Sequence, residues 1–417
     1  MSINDIIKSD ARCNHPDKPL EIPWAHVAIK FFPCLIQKHP KSNWKMSSSP
    51  VVNALLTNAL MGGLLYGVNV FLEVTKDEQA RLTGLMVLSA ITIAALFAYV
   101  WTWNTVRTWT FYLVAIPFFL TSSFDVLATI DSWLMPNGIF LKEYLQAHDL
   151  HLHSIVPTIF VFLDGTVLQA INLMAIYKMS QGSSARSLLL VPAMSLAFLT
   201  SAYTICTQTS GIPLHPLTVS IIPATVVYLV LLPLGVLRIP RNYTLSPKNS
   251  LGNDTQSLSW LTSALLAAGA LVIVAKALVV AGVRNGLLDI VRLNDPLILL
   301  DDVEETIPFI KVVIWQYVLV SLPLFAISIF YHFKTAKPAF LWEVAVANFA
   351  FLLTGQFIFI VGSFYWKTPE DLRVDPTNAV FWIINLIPLN ATLAQIESLS
   401  LYRSSLVSKQ ANVKKRS

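Results

Sequence analysis

Apolar residues in this chain gather into stretches of about twenty, parted by short segments rich in Lys, Arg, Asp, Glu, Gly and Pro. Ten stretches stand out, at residues 51–72, 82–103, 108–130, 154–177, 187–208, 215–237, 259–283, 306–332, 339–365 and 378–402. A helix rises about 1.5 Å per residue, so each is long enough to cross the hydrocarbon layer of a bilayer. The pattern predicts an all-α, polytopic integral membrane helical bundle of about ten transmembrane helices. It divides the chain into a polar segment, 1–50, a transmembrane domain, 51–402, and a basic tail, 403–417. The third stretch carries Pro117 and Asp125, and the tenth carries Asn385, Asn390 and Glu397. Proline is tolerated in such helices because neighbours re-satisfy the backbone. No internal repeat is visible, which weakens an inverted-repeat transporter architecture.

Composition agrees. Of 417 residues, 55% are hydrophobic and 13% charged, with mean hydropathy +0.61; a soluble chain is about 25% charged. The net charge of +5 invites a nucleic-acid partner. The basic residues flank apolar stretches instead of forming a patch, so that reading is rejected. With the N-terminus in the cytosol, 20 of the 29 Lys and Arg fall on the cytosolic side and 7 opposite, and 15 of the 24 acids take the far side. Both asymmetries place both termini in the cytosol, with the acidic face lumenal if the protein resides in the endoplasmic reticulum. Cys13, Cys34 and Cys206 show no metal or redox spacing. The first fifty residues hold no apolar run, so no cleavable signal peptide is expected and the first stretch would act as anchor.

Two carboxylates interrupt the apolar text, Asp125 in the third stretch and Asp164 in the fourth. A charge there costs roughly 2.5–3.5 kcal/mol on insertion scales, so such residues face the bundle interior and mark sites. Thr121, Asp125 and Thr129 recur every four residues, with Ser122 and Ser132 nearby. They form one helical face, which must look inward. Asp164 lies about ten residues, roughly 15 Å, into the fourth stretch, which runs the opposite way. Consecutive stretches are expected to be neighbours, so the acids would share one cavity at slightly different depths. A carboxyl that keeps its proton in low dielectric is what general-acid chemistry needs. The competing reading is structural: a hydrogen bond, or an ion pair with Lys276 or Lys311.

Lys276 is deep in the seventh stretch and is a candidate charge partner for an acid, whereas Lys311 is expected to snorkel to the interface. Glu343 and Glu397 fall near helix ends, within reach of headgroups. Asn385, Asn390 and Gln356 need partners whatever the function. Asp301-Asp302-Val303-Glu304-Glu305 matches the metal-binding pattern of soluble terpene synthases, and Asn253-Asp254-x-x-Ser257 starts like their second motif. Leu261 stands where that motif wants an acid, and the topology puts the two runs on opposite sides, so the acidic run reads as a solvated loop. In the run His148-Asp149-Leu150-His151-Leu152-His153, His151, His153 and Asp149 could ligate zinc, but no fourth ligand or second cluster is evident, and the run reads as a solvated loop. No Walker loop, dinucleotide fingerprint, His-Glu-x-x-His or Gly-x-Ser-x-Gly element occurs. The sequons at Asn242, Asn253 and Asn390 are expected to go unused. Aromatics near the acids (Phe124, Trp133, Phe160, Phe162, Tyr203, Trp315, Tyr317) would suit a carbocation, whose charge their ring faces stabilise; ordinary helix packing explains them equally well.

The ten-span layout, the lack of a soluble domain, and the texts Ser123-Phe124-Asp125-Val126-Leu127 and Phe162-Leu163-Asp164-Gly165 resemble the fungal membrane-bound terpene cyclases of the ascochlorin, ascofuranone and macrophorin meroterpenoid pathways. A shorter, seven-span fungal cyclase family has similar chemistry, but this chain is too long for it. The resemblance implies a farnesylated, possibly epoxidised, aromatic or epoxycyclohexenone substrate. Cyclisation would be acid-initiated, without metal, cofactor or loss of pyrophosphate. Asp125 and Asp164 would be the catalytic pair, and Phe124, Phe162, Tyr203, Trp315, Tyr317 and Asn385 are expected to line the substrate. Against this stand a proton-coupled transporter or exporter, another lipid-modifying enzyme such as a sterol isomerase or acyltransferase, and a non-catalytic receptor.

Overall fold

The computed structural model describes residues 50–103, 109–135, 140–141, 154–181, 183–210, 227–239, 253–303, 307–334 and 337–414. All of them belong to one unit, Lys45–Ser417; the other unit, Met1–Trp44, lies outside them, as do His148, Asp149, His151 and His153. Among the described residues there is no strand. Among these residues nine helices are long and apolar enough to cross a membrane, and the chain is an integral membrane helical bundle.

The helices are α1 (Pro50–Val74), α2 (Glu78–Trp103) and α3 (Trp109–Thr129, continued by a π-helical turn over Ile130–Leu134). Next come α4 (Ile155–Ser180), α5 (Arg186–Thr209) and α6 (a π turn over Val227–Leu231, then Leu232–Arg238). They are followed by α7 (Asn253–Val280), α8 (Gly286–Asn294), α9 (Phe309–His332), α10 (Phe340–Phe364) and α11 (Ala379–Lys414). Of the sixth stretch, 215–237, only the short α6 is described, and 215–226 lie outside the described residues. The last helix runs to Lys414, and the span within it is Ala379–Ser400.

Local chemistry explains the breaks. Asp77 accepts the N–H of Ala80 at 2.7 Å and caps α2. Gly282, at φ +80°, turns the chain out of α7 while the N–H of Val283 returns to Leu278 O at 3.0 Å. Asn285 then accepts from Leu287 N at 3.1 Å and starts α8. Between two spans, α8 lays Val291 inward and exposes Leu287 and Leu293, a pattern suited to the interface.

In one part of the bundle α3 packs on α1, α4 and α6. In the other, α7 lies along α11, and α10 packs against both α5 and α11. One apolar cluster includes Phe198, Ile273, Tyr317, Phe351 and Phe359. Buried polar bonds tie neighbours together: Thr354 Oγ1 donates to Ser195 Oγ at 2.8 Å, and Gln316 Nε2 to Phe198 O at 3.0 Å.

Candidate functional site

Helices α3 and α4 meet where α4 has glycine. A Cβ built on Gly165 would stand 2.6 Å from the backbone oxygen of Asp125 and 2.7 Å from Thr129 Oγ1. Only a residue without a side chain allows that approach. Thr129 Oγ1 donates to Val161 O at 3.0 Å across the same crossing. Alanine at Gly165 is expected to cost roughly 1–3 kcal/mol, since the obstruction is rigid backbone. Thermal unfolding of the purified protein in detergent measures it.

The close approach brings Asp125 and Asp164 together. Both are buried, at 6% and 0% exposure, and their carboxyl groups interact directly. The contact is one carboxyl against another. Neither Asp164 oxygen takes an aligned hydrogen bond among the described residues. Asp164 also opens a π turn, Asp164–Leu168, in the middle of α4. Such a turn inserts an extra residue and is found frequently at functional sites.

A third group completes the cluster. Tyr228, in the π turn of α6, meets the Thr121 hydroxyl through its own hydroxyl. It is within electrostatic reach of both carboxyls. Thr121 Oγ1 also donates to Pro117 O at 3.0 Å. The four-residue stripe on α3 is therefore used along its length, with Thr121 meeting Tyr228, Asp125 meeting Asp164, and Thr129 meeting α4. Sequence reasoning missed Tyr228. Its only signal was that it is the one tyrosine of its apolar stretch.

The expected aromatic lining does not gather there. Phe124 packs with Leu127, Ala128, Leu141 and Val161. Phe162 is two positions from Asp164, about 200° around the helix, and stacks instead with Trp133 at 4.6 Å and Phe357 at 6.2 Å. Tyr203 lies by Phe309, 6.4 Å between ring centres. Trp315 is 46% exposed on the outer face of α9. Two positions on, its neighbour Tyr317 takes the inward face.

Tyr317 and Asn385 instead join Lys276 in a second polar centre. The Lys276 ammonium is fully buried, 2.7 Å from Asp295 Oδ2 and 2.7 Å from Asn385 Oδ1, and 4.0 Å above the Phe359 ring. Asn385 Nδ2 donates to Asp295 Oδ2 at 3.3 Å. Lys276 thus has an acid partner, but it is neither Asp125 nor Asp164. Asp295, which follows α8, was not foreseen. The available signal was that a buried lysine needs a carboxylate and that Asp295 lies in the segment after its own helix.

Other expectations divide. Lys311 is part-exposed and pairs with Asp302 at 2.9 Å, as a snorkelling residue does. Glu397 is exposed. Glu343 is not free to reach headgroups: it is buried against Arg186 at 2.9 Å. Asp301 is not a solvated loop residue either. It is 7% exposed and accepts the N–H groups of Ile310 at 3.2 Å and Lys311 at 2.6 Å, capping α9. Burial pushes its carboxyl up to about 6 against the pull of those N–H groups. The folded state therefore holds the proton more tightly than the unfolded chain, and the burial penalty is relieved as pH falls through 6. The wild type is expected to gain thermal stability relative to Asp301→Asn between pH 7 and pH 5. Melting curves of both proteins at the two pH values check this.

No group of three or more His, Cys, Asp or Glu is placed to hold a metal ion among the described residues. The chain matches no family model, no curated protein and no solved structure. Its chemistry is therefore read from its own geometry.

Proposed function

We propose that this protein is a membrane-bound terpene cyclase that isomerises a farnesylated meroterpenoid intermediate of secondary metabolism, or its terminal epoxide, by protonating it. The observation that carries the reading is the contact of Asp125 with Asp164 inside the bundle, with Tyr228 beside them. Two touching carboxyls in low dielectric cannot both be ionised, so one keeps a proton. That proton adds to the terminal alkene, or to the epoxide oxygen, and leaves a tertiary cation. A neighbouring double bond attacks the cation and closes a ring. The last cation loses a proton to the carboxylate, restoring the pair. Nothing is added or lost overall, so the product has the mass of the substrate. Burial keeps water from the cation. The lipophilic substrate enters from the membrane, the reaction needs no cofactor, and the protein resides in the endoplasmic reticulum with both termini in the cytosol.

The test is a product assay. Microsomes from yeast expressing the chain receive a farnesylated phenol or its terminal epoxide. Mass spectrometry then looks for an isomer of unchanged mass and new retention. No isomer from either substrate, with the protein intact in the membrane, overturns the reading.

A second reading, proton-coupled transport, is favoured by one observation. Asn348 on α10 and Gln395 on α11 are fully buried, with neither amide atom in an aligned hydrogen bond among the described residues. Proton flux through proteoliposomes that depends on the exported molecule would support it.

A further inference from the structure

We infer that the Lys276–Asp295 centre is a binding site for the hydroxyl end of a neutral, lipid-soluble molecule. It is distinct from the Asp125–Asp164 pair: it shares no residue with it and is built on α7, α9, α10, α11 and the segment after α8. Within the centre Lys276 is fully used, with two oxygens at 2.7 Å and an aromatic face at 4.0 Å. Asn385 is used as well, through Asp295 and the carbonyl of Phe381 at 3.1 Å. What remains is a set of atoms that the fold leaves without an aligned partner, although the Tyr317 hydroxyl and the Gln356 side chain touch each other. Asp295 Oδ1, the Tyr317 hydroxyl, and both amide atoms of Gln356 are fully buried and make no aligned hydrogen bond among the described residues.

These atoms belong together. The Tyr317 hydroxyl lies beside the Gln356 side chain and feels the charge of Asp295. A Cβ on Gly355 would fall on the Tyr317 phenol oxygen, so the glycine before Gln356 seats that ring end. Tyr317 opens the π turn Tyr317–Ser321 of α9, the same device that carries Asp164 and Tyr228. Buried polar groups are almost always paired, and a cluster of exceptions calls for an explanation. The ligand class follows from the atoms. A carboxylate oxygen wants a donor, and the phenol and amide can both give and accept. Lys276 and Asp295 cancel in charge, so a cation would meet Lys276 and an anion would meet Asp295. A neutral hydroxyl donates to Asp295 Oδ1 while accepting from Tyr317 or Gln356.

The test uses the full-length protein in nanodiscs and tritiated 4-dodecylphenol as the probe. Unlabelled 4-dodecylphenol and its O-methyl ether compete for it. Neither has an alkene, so the result does not depend on the cyclisation proposed above. The phenol is expected to compete at about tenfold lower concentration than the ether, which cannot donate. Tyr317→Phe and Gln356→Leu should each remove most of that difference with little change in melting temperature, because what each variant loses in the free protein is the misaligned contact of one side chain with the other. Equal competition by phenol and ether in the wild type overturns the site. So does an undiminished difference in both variants, or a melting temperature lowered in both, which would make the polar atoms structural.

Discussion

Asparagine in place of Asp125 or of Asp164 abolishes formation of the cyclised isomer, with a fall of about 10²–10⁴ in rate, the usual contribution of a positioned acid. Asparagine keeps the size of the side chain and its carbonyl oxygen, so packing at the α3–α4 crossing is retained. It removes the proton that starts the reaction and the carboxylate that ends it. The two carboxyls act as one unit, so the double variant should be no worse than either single one. Relative rates come from the isomer peak per unit of protein in the membrane. Tyr228→Phe should have a smaller effect, since its hydroxyl meets Thr121 and acts on the pair only through its field. If both asparagine variants retain the isomer, the protonating group lies elsewhere. If the wild type makes no isomer, the cyclase reading itself fails.

Methionine in place of Lys276 destabilises the protein by roughly 3–5 kcal/mol, the usual cost of leaving one half of a buried ion pair alone. Asp295 is fully buried and its Oδ2 depends on Lys276 at 2.7 Å. Asn385 loses its acceptor contact in the same step. Adding Asp295→Leu should restore most of the loss, because replacing both partners with apolar groups is often neutral. Unfolding of the two single variants and the double variant in detergent gives the coupling directly. A Lys276→Met protein as stable as the wild type would mean that Asp295 takes up a proton at little cost, and the pair would then contribute nothing to the fold.

The chain itself determined the fold class. Apolar stretches long enough to cross a bilayer leave the backbone no way to satisfy its hydrogen bonds except as helices. The stripe Thr121, Asp125, Thr129 was legible for a related reason. A four-residue period puts polar groups on one face, and in an apolar stretch such a face turns inward. Two buried acids on consecutive stretches announced their own meeting.

Tertiary structure decided the partners. Gly165 matters only because Asp125 O lies 2.6 Å from where its Cβ would be, a distance between helices that no local pattern encodes. The π turns at Asp164, Tyr228 and Tyr317 shift the register of the side chains after them, so an ideal helical wheel misplaces those side chains. Two positions on a helix lie about 200° apart, so Trp315 and Tyr317, like Phe162 and Asp164, could not share a face as expected, and the choice of which faces inward lay with the neighbouring helices. Lys276 declared that it needed a carboxylate; that the carboxylate is Asp295 rather than Asp125 or Asp164 followed from how the chain after α7 folds back over the bundle. Charge satisfaction is demanded by the residue itself, and the partner that supplies it is chosen by long-range packing.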